Sequence, residues 1–221
     1  MTSTPNLRDF EAEVYGAGRF ARCPYEFVAS FVFRNMPRKP RREIEIMEVG
    51  CGTGNNLWFL AHEGFSVVGI DGSPSAVDYS RNWLESAGFS AELAVGNFVK
   101  LPFADNRFDL IFDRAALCYL GFSQIAAAVQ EIHRVLKPGG RFLFNPYSTL
   151  HPGYQTGKPG ADRITLEAQG PFAITFFDRP MLDELFAGSW EYVNVWHTEI
   201  TDDQSTKSVN GDWRVELERL P

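Results

Sequence analysis

"IEIMEVGCGTGNN", residues 44–56, runs from an apolar stretch straight into glycines at positions 50, 52 and 54. Glycine costs backbone entropy, so three of them at alternate positions mark a chain that turns sharply or lets a ligand approach its main chain. An apolar run of strand length ahead of the turn and "NNLWFLAHEG" (55–64) behind it read as strand, loop and helix. A small molecule is expected to lie against this loop.

The same alternation continues outward. "SVVGID" (66–71) reads as a second strand, apolar enough to be buried on both faces. Ser73 is placed to cap the following helix, with Pro74 at its first position and Gly88 at its end. "AELAVG" (91–96) and "FDLIFD" (108–113) give strands three and four. "SQIAAAVQEIHRVL" sets Ile125, Val129, Ile132 and Leu136 on one helical stripe, and "KPGG" (137–140) closes that helix before a fifth strand, "RFLFNPY". Such repetition implies a parallel sheet with right-handed crossovers and helices on both faces. Residues 148–173 read as loop. "WEYVNVWHTEI" (190–200), a polar loop over 201–212 and "WRVELERL" (213–220) read as an antiparallel hairpin. Ahead of the first strand, "CPYEFVASFVFRNM" (23–36) reads as an amphipathic helix, and residues 1–43 as a helical lid segment. The expected organisation is one domain: the lid, a ligand-binding core over 44–147, and 148–221 as an insertion and hairpin that complete it.

Composition narrows the ligand. The chain has 221 residues, 44% of them hydrophobic, a formal charge of −7 and a pI near 5.2. That balance provides no general field for a polyanion, so neither nucleic acid nor an anionic membrane is an expected partner. Cys23, Cys51 and Cys118 are odd in number and widely spaced, which fits neither a disulfide framework nor a metal site. No secretory leader and no run of about 18 apolar residues is recognisable. A soluble cytoplasmic protein, monomeric or homodimeric, is expected.

In an open α/β sheet, ligands bind beyond the carboxyl ends of the strands. A dinucleotide fingerprint requires a third small residue where Asn55 stands, and no triphosphate-binding lysine motif is present. Asp71, at the tip of the second strand, can accept hydrogen bonds from both hydroxyls of a ribose. Asn97 and Phe98, one strand further along, can offer an amide to an adenine edge and a ring to its face. A nucleoside is implied, and nothing in the pattern clearly points to a diphosphate.

"IMEVGCGTGNN", "VVGIDGSPSAVDYSR", "AVGNFVKLPFADNRFDLIFDRAAL" and "EIHRVLKPGGRFLF" together resemble, in order and spacing, successive motifs of the class I S-adenosylmethionine-dependent methyltransferases of the small-molecule, type 11 kind. The resemblance implies a Rossmann-like doubly wound sheet of seven strands, mostly parallel with an antiparallel last strand. It also implies S-adenosyl-L-methionine as cofactor and S-adenosyl-L-homocysteine as product. Carried over residue by residue, Glu48, Gly50, Cys51, Gly52, Gly54 and Asn55 pass under the methionyl group. Asp71 takes the ribose with Gly72 and Ser73 beside it, and Asn97 and Phe98 face the adenine. Asp113 and Arg114 fall next to the methyl-donor sulfur. Enzymes that methylate nucleic-acid amino groups often carry a Pro-Pro-Tyr type sequence there. This chain has "DRAALCYL" (113–120), and its "NPYS" comes one strand too late.

A sulfonium is already an activated leaving group, so positioning accounts for much of such a reaction. Where the acceptor must lose a proton, Asp113, Tyr119, Tyr147, His151 and His197 are within the strand-end loops, the insertion and the hairpin. Asp113, Tyr147 and the loop-borne His151 are the chosen catalytic set. His133 and His197 read as packing residues. Tyr15 and Arg19 are expected to close over the cofactor carboxylate, and the insertion to set specificity. No metal is expected. A catalytically silent cofactor-binding module and a nucleotide-dependent oxidoreductase are the alternatives.

Overall fold

The apolar run ahead of the glycines forms strand β1 (Glu45–Val49), buried from Ile46 onward, as a strand between two parallel neighbours must be. In the computed structural model, which describes residues 21–170, 172–205 and 207–221, β1 pairs in parallel with β2 (Ser66–Asp71) on one side and β4 (Phe108–Arg114) on the other. β3 (Glu92–Val95) extends the sheet beyond β2, and β5 (Leu136–Asn145) beyond β4. β10 (Lys207–Arg219) then lies antiparallel to β5, and β9 (Trp190–Asp202) antiparallel to β10. The order β3-β2-β1-β4-β5-β10-β9 is the seven-stranded sheet expected from the sequence. Strand order reverses between β1 and β4, so the crevice opens at their carboxyl ends.

Two apolar layers hold helices to this sheet. On one face α1 (Glu26–Asn35), α2 (Asn55–His62) and α3 (Pro74–Ser86) bring Phe31, Val32, Leu57, Leu60 and Leu84 against Ile46, Leu110 and Phe112. On the other, α4 (Phe122–Val135) lays its Ile125, Val129 and Ile132 stripe on the sheet. Each such side chain, once buried, contributes about 1.5–3 kcal/mol. α3 starts as its sequence predicts: the Ser73 hydroxyl accepts from Ala76 N–H at 3.1 Å, and Pro74 occupies the first turn. Among the described residues no helix is long and apolar enough to cross a membrane.

Three expectations are corrected. β5 begins at Leu136, not after "KPGG": its pairing jumps from Phe108–Leu136 to Leu110–Arg141, and Gly139, at φ +73°, lets the intervening residues loop out as a bulge. The polar segment 201–212 is largely strand, because the hairpin runs on to the Asp202–Lys207 pair. Residues 148–175 are not an unstructured loop. They form a short helix, α5 (Pro152–Thr156), and a three-stranded sheet of β6 (Lys158–Pro159), β7 (Ile164–Gln169) and β8 (Phe172–Thr175). Strands this brief carry too few alternations to register as periodic.

The insertion is fastened to the main body. Asp162 reaches α4, which has no side-chain cap of its own. Its carboxylate accepts from Ser123 N–H at 3.1 Å and from the Ser123 hydroxyl at 2.6 Å, and its carbonyl accepts from Phe122 N–H. Thr175 donates to the Leu120 carbonyl at 2.7 Å, and α6 (Arg179–Leu185) offers Glu184 to Arg163 at 2.9 Å. Replacing Asp162 with Ala is expected to lower stability by about 1 kcal/mol, while Asp162→Asn keeps most of it. Urea denaturation of the three proteins checks this, and equal midpoints for all of them refute the latch.

Candidate active site

Gly50, Gly52 and Gly54 all take left-handed backbone angles, φ +72°, +50° and +83°, which only glycine adopts freely. The loop is pinned to β2, because Gly50 N–H and Cys51 N–H both donate to the Ile70 carbonyl, at 2.8 and 3.1 Å. A Cβ at Gly50 would collide with Ala116, and one at Gly54 with Ser80 of α3. Two of the three glycines are therefore also demanded by the protein's own packing. Cys51 turns its side chain into the core, where a Cβ at Gly69 would meet its sulfur at 2.8 Å, so it offers the crevice only backbone.

Three carboxyl groups converge at the strand ends. Asp71 accepts from Gly52 N–H at 2.8 Å with one oxygen and from Ser73 N–H at 2.9 Å with the other, joining the glycine loop to the turn through Gly72. Glu48 is buried; one oxygen accepts from the Asn56 amide at 2.7 Å and the other has no partner. Burial holds its carboxyl well above the usual range, and the nearby Asp71 and Asp113 push the same way. Asp113 is fully buried. One oxygen accepts from the N–H groups of Ala116 and Leu117, both at 2.9 Å, and the other is unpartnered. Burial raises this carboxyl to about 7.

The turn after β4 is unusual in that Ala115, a residue with a side chain, stands at φ +51°. Such conformations cost on the order of 1 kcal/mol and persist where surroundings enforce them. Here the turn brings Ala116 against Gly50. Arg114 places its guanidinium 4.0 Å from the centre of the Tyr25 ring, and its side chain interacts electrostatically with that of Tyr147. Asn97 is exposed beyond β3, whereas Phe98 is half-buried with its ring tip 3.8 Å from where a Gly50 Cβ would stand.

Tyr147 and His151 meet at 4.8 Å between ring centres, and His151 stacks on Phe176 at 5.5 Å. His151 is not on a flexible loop, as the sequence suggested. It is buried as the cap of α5, with Nδ1 accepting from Gly153 N–H at 3.0 Å and Nε2 3.1 Å from the Gln169 amide. Burial lowers its pKa; in the neutral form Nδ1 accepts from Gly153, so Nε2 carries the proton. It reaches the crevice only through Tyr147. His197 stacks on Trp213 at 3.9 Å and His133 meets Trp190 edge-on, both as packing residues. Tyr119 lies under the insertion, 6.0 Å from Phe172.

Sequence reasoning missed the segment before α1. Asn55 donates to the Cys23 carbonyl at 2.7 Å, and Asn56 accepts from Tyr25 N–H at 3.0 Å. Asn55, expected under the methionyl group, and Asn56, to which no role was given, fasten this segment to the start of α2 beside the glycine loop. The signal was available, since two amides in the first turn of a buried helix must find partners. Tyr15 and Arg19, the expected lid residues, lie outside the described residues.

Residues 46–140 match the family described as methyltransferase domain. The chain is 33% identical over 129 residues to the uncharacterized methyltransferase sll0829 of Synechocystis sp., covering 58% of this chain and 54% of that protein. It is also 33% identical over 137 residues to the demethylmenaquinone methyltransferase of Symbiobacterium thermophilum, covering 59% and 51%. The chain thus spans about half the length of these curated relatives. Among solved structures, an S-adenosylmethionine-dependent methyltransferase from Methanosarcina mazei superposes with a TM-score of 0.71 at 22% identity, over 90% of this chain and 100% of that one. The [4+2]-cyclase SpnF superposes at 0.72 and 16% identity, over 99% and 96%. At these identities the likeness is one of fold.

The buried carboxyls set a pH dependence. Asp113 titrates near 7 in the folded protein and near its ordinary 3.8 when unfolded, so the folded state binds the extra proton between those values. The stability this contributes is complete below about pH 4 and is lost as pH rises through 7; Glu48 acts in the same direction. Asp113→Asn keeps an oxygen for Ala116 and Leu117 but removes the charge. It is expected to exceed the parent in stability at high pH by about 1 kcal/mol or more, with the gap closing in acid. Urea midpoints across that range test this, and a parallel pH profile for the two proteins contradicts it.

Proposed function

Because residues 46–140 match the methyltransferase-domain family, we propose that the protein is an S-adenosylmethionine-dependent methyltransferase that moves a methyl group to a small-molecule acceptor by in-line displacement. The observation that carries this reading is the buried, half-satisfied carboxylate of Glu48 beside a loop of three left-handed glycines. A desolvated carboxyl oxygen without a partner suits a cationic donor, and the ammonium of a methionyl group is one.

In this assignment the backbone of Gly50, Cys51, Gly52, Gly54 and Asn55 carries the methionyl portion and Glu48 its ammonium. Asp71, with Gly72 and Ser73, takes the ribose. A carboxylate oxygen accepts more than one hydrogen bond, so the two backbone contacts of Asp71 do not exclude sugar hydroxyls. Phe98 and Asn97 border the adenine. When bound, S-adenosylmethionine supplies a methyl group on a positively charged sulfur.

The chain's own contribution is placement and exclusion of water. Tyr25 on one side and the insertion on the other wall the strand ends. Asp113, with a pKa near neutrality and one unpartnered oxygen, is the group to take a proton from the acceptor. Burial pushes the Tyr147 phenol above its ordinary range; it stays protonated and orients, and His151 backs its ring. A silent cofactor-binding module is the second reading, favoured by the burial of His151 and the commitment of its Nδ1 to Gly153.

Calorimetric titration with S-adenosylhomocysteine is expected to show binding that Asp71→Ala weakens by about 2 kcal/mol, close to thirtyfold. Glu48→Gln keeps the Asn56 bond and is expected to weaken it as well. No heat with the parent protein overturns the reading. A labelled-methyl screen over metabolite pools separates the enzyme from the silent module, which binds and transfers nothing.

A further inference from the structure

Arg114 is the charged group whose partners least account for it. It ends β4, following Asp113, and is half-buried. One face of its guanidinium lies over Tyr25 at 4.0 Å, the Tyr147 side chain is an electrostatic neighbour, and its buried Nε has no partner. Each other arginine of the β4–β5 side, such as Arg107, Arg134 or Arg141, has a carboxylate within 3.0 Å. Arg114 forms no ion pair among the described residues. Its sequence neighbour Asp113 spends one oxygen on two backbone N–H groups.

A guanidinium has five N–H donors in a planar fork suited to a carboxylate. Leaving its Nε–H buried and unmatched is costly, and beside a sulfonium the cost rises, because like charges repel. An anion seated on Arg114 removes both penalties. The methionyl portion is accommodated at Glu48 and the β1 loop, whereas Arg114 leans on Tyr147, beyond the end of β5. Behind Tyr147 stand His151 and Phe176, so the surroundings on that side are aromatic.

We propose that Arg114 and the Tyr147 hydroxyl form a receptor for a carboxylate on the methyl acceptor, so that the acceptor is a small carboxylic acid with an apolar, planar body. This rests on the methyltransferase reading and adds the substrate class. The cofactor's own carboxylate is the other source of the same chemistry, and the two are separable.

The protein is first saturated with S-adenosylhomocysteine, then titrated with benzoate and with its neutral counterpart benzamide. Benzoate is expected to bind at least about tenfold more tightly than benzamide. Arg114→Gln is expected to abolish that preference in protein kept saturated with S-adenosylhomocysteine. Arg114→Lys, which keeps the charge without the fork, retains a reduced preference and serves if the glutamine variant does not fold. Equal affinity for the two probes, or no binding of benzoate to the saturated protein, overturns the proposal. So does an Arg114→Gln protein that loses S-adenosylhomocysteine affinity and keeps its benzoate preference, which assigns the arginine to the cofactor. Failure of the initial saturation is a different result, and it strikes the methyltransferase reading itself.

Discussion

A single carboxylate, that of Asp71, holds the head of the sheet together. It accepts one backbone N–H from the glycine loop and one from the start of α3, so the loops that leave β1 and β2 cannot move independently. Hydrogen bonds to a charged acceptor are stronger than neutral ones. This one also fixes the peptide planes of a loop whose left-handed residues have few alternatives of their own. The close contacts of Gly50 with Ala116 and of Gly54 with Ser80 extend the arrangement to β4 and α3. Four elements thus share one small turn, and its geometry is set before any ligand arrives.

Glu48, Asp71 and Asp113 give that turn a distinctly acidic neighbourhood in a chain already at −7. Burying carboxyls together is unfavourable, and the raised titration of Glu48 and Asp113 expresses the cost. The expense is tolerable where a positively charged guest is to be held. Arg114, which follows Asp113 at the end of β4, is the cationic exception among them.

Most of the framework was legible because parallel strands and amphipathic helices of ordinary length write strong periodicities. β1, β2, β4 and the α4 stripe fall where their apolar patterns place them, and the closing hairpin was visible as two alternating runs. The insertion was not, because β6 has two residues and β8 four, and its order comes from Asp162, Thr175 and Arg163 reaching distant partners. The glycine loop and Asp71 were legible as neighbours through their spacing, and Asp71 does accept from Gly52 N–H. Tyr25 was hidden, since its place depends on Asn56, 31 residues later. His151 looked mobile in a segment rich in glycine and proline, and only its contacts with Gly153, Gln169 and Phe176 reveal it as a fixed cap.

Helix α1 joins regions far apart along the chain. Just ahead of its first turn, Cys23 and Tyr25 are bound by Asn55 and Asn56; at its other end, Arg34 pairs with the buried Glu216 of β10, 182 positions away. Loop closure over such a span is entropically expensive and comes late when a chain folds. The helix can seat its apolar face on α2, β1 and β4 as soon as those are made, whereas the partner of Arg34 arrives only when β10 has left the ribosome. Until then the C-terminal end of the helix lacks the one ionic anchor that β10 supplies.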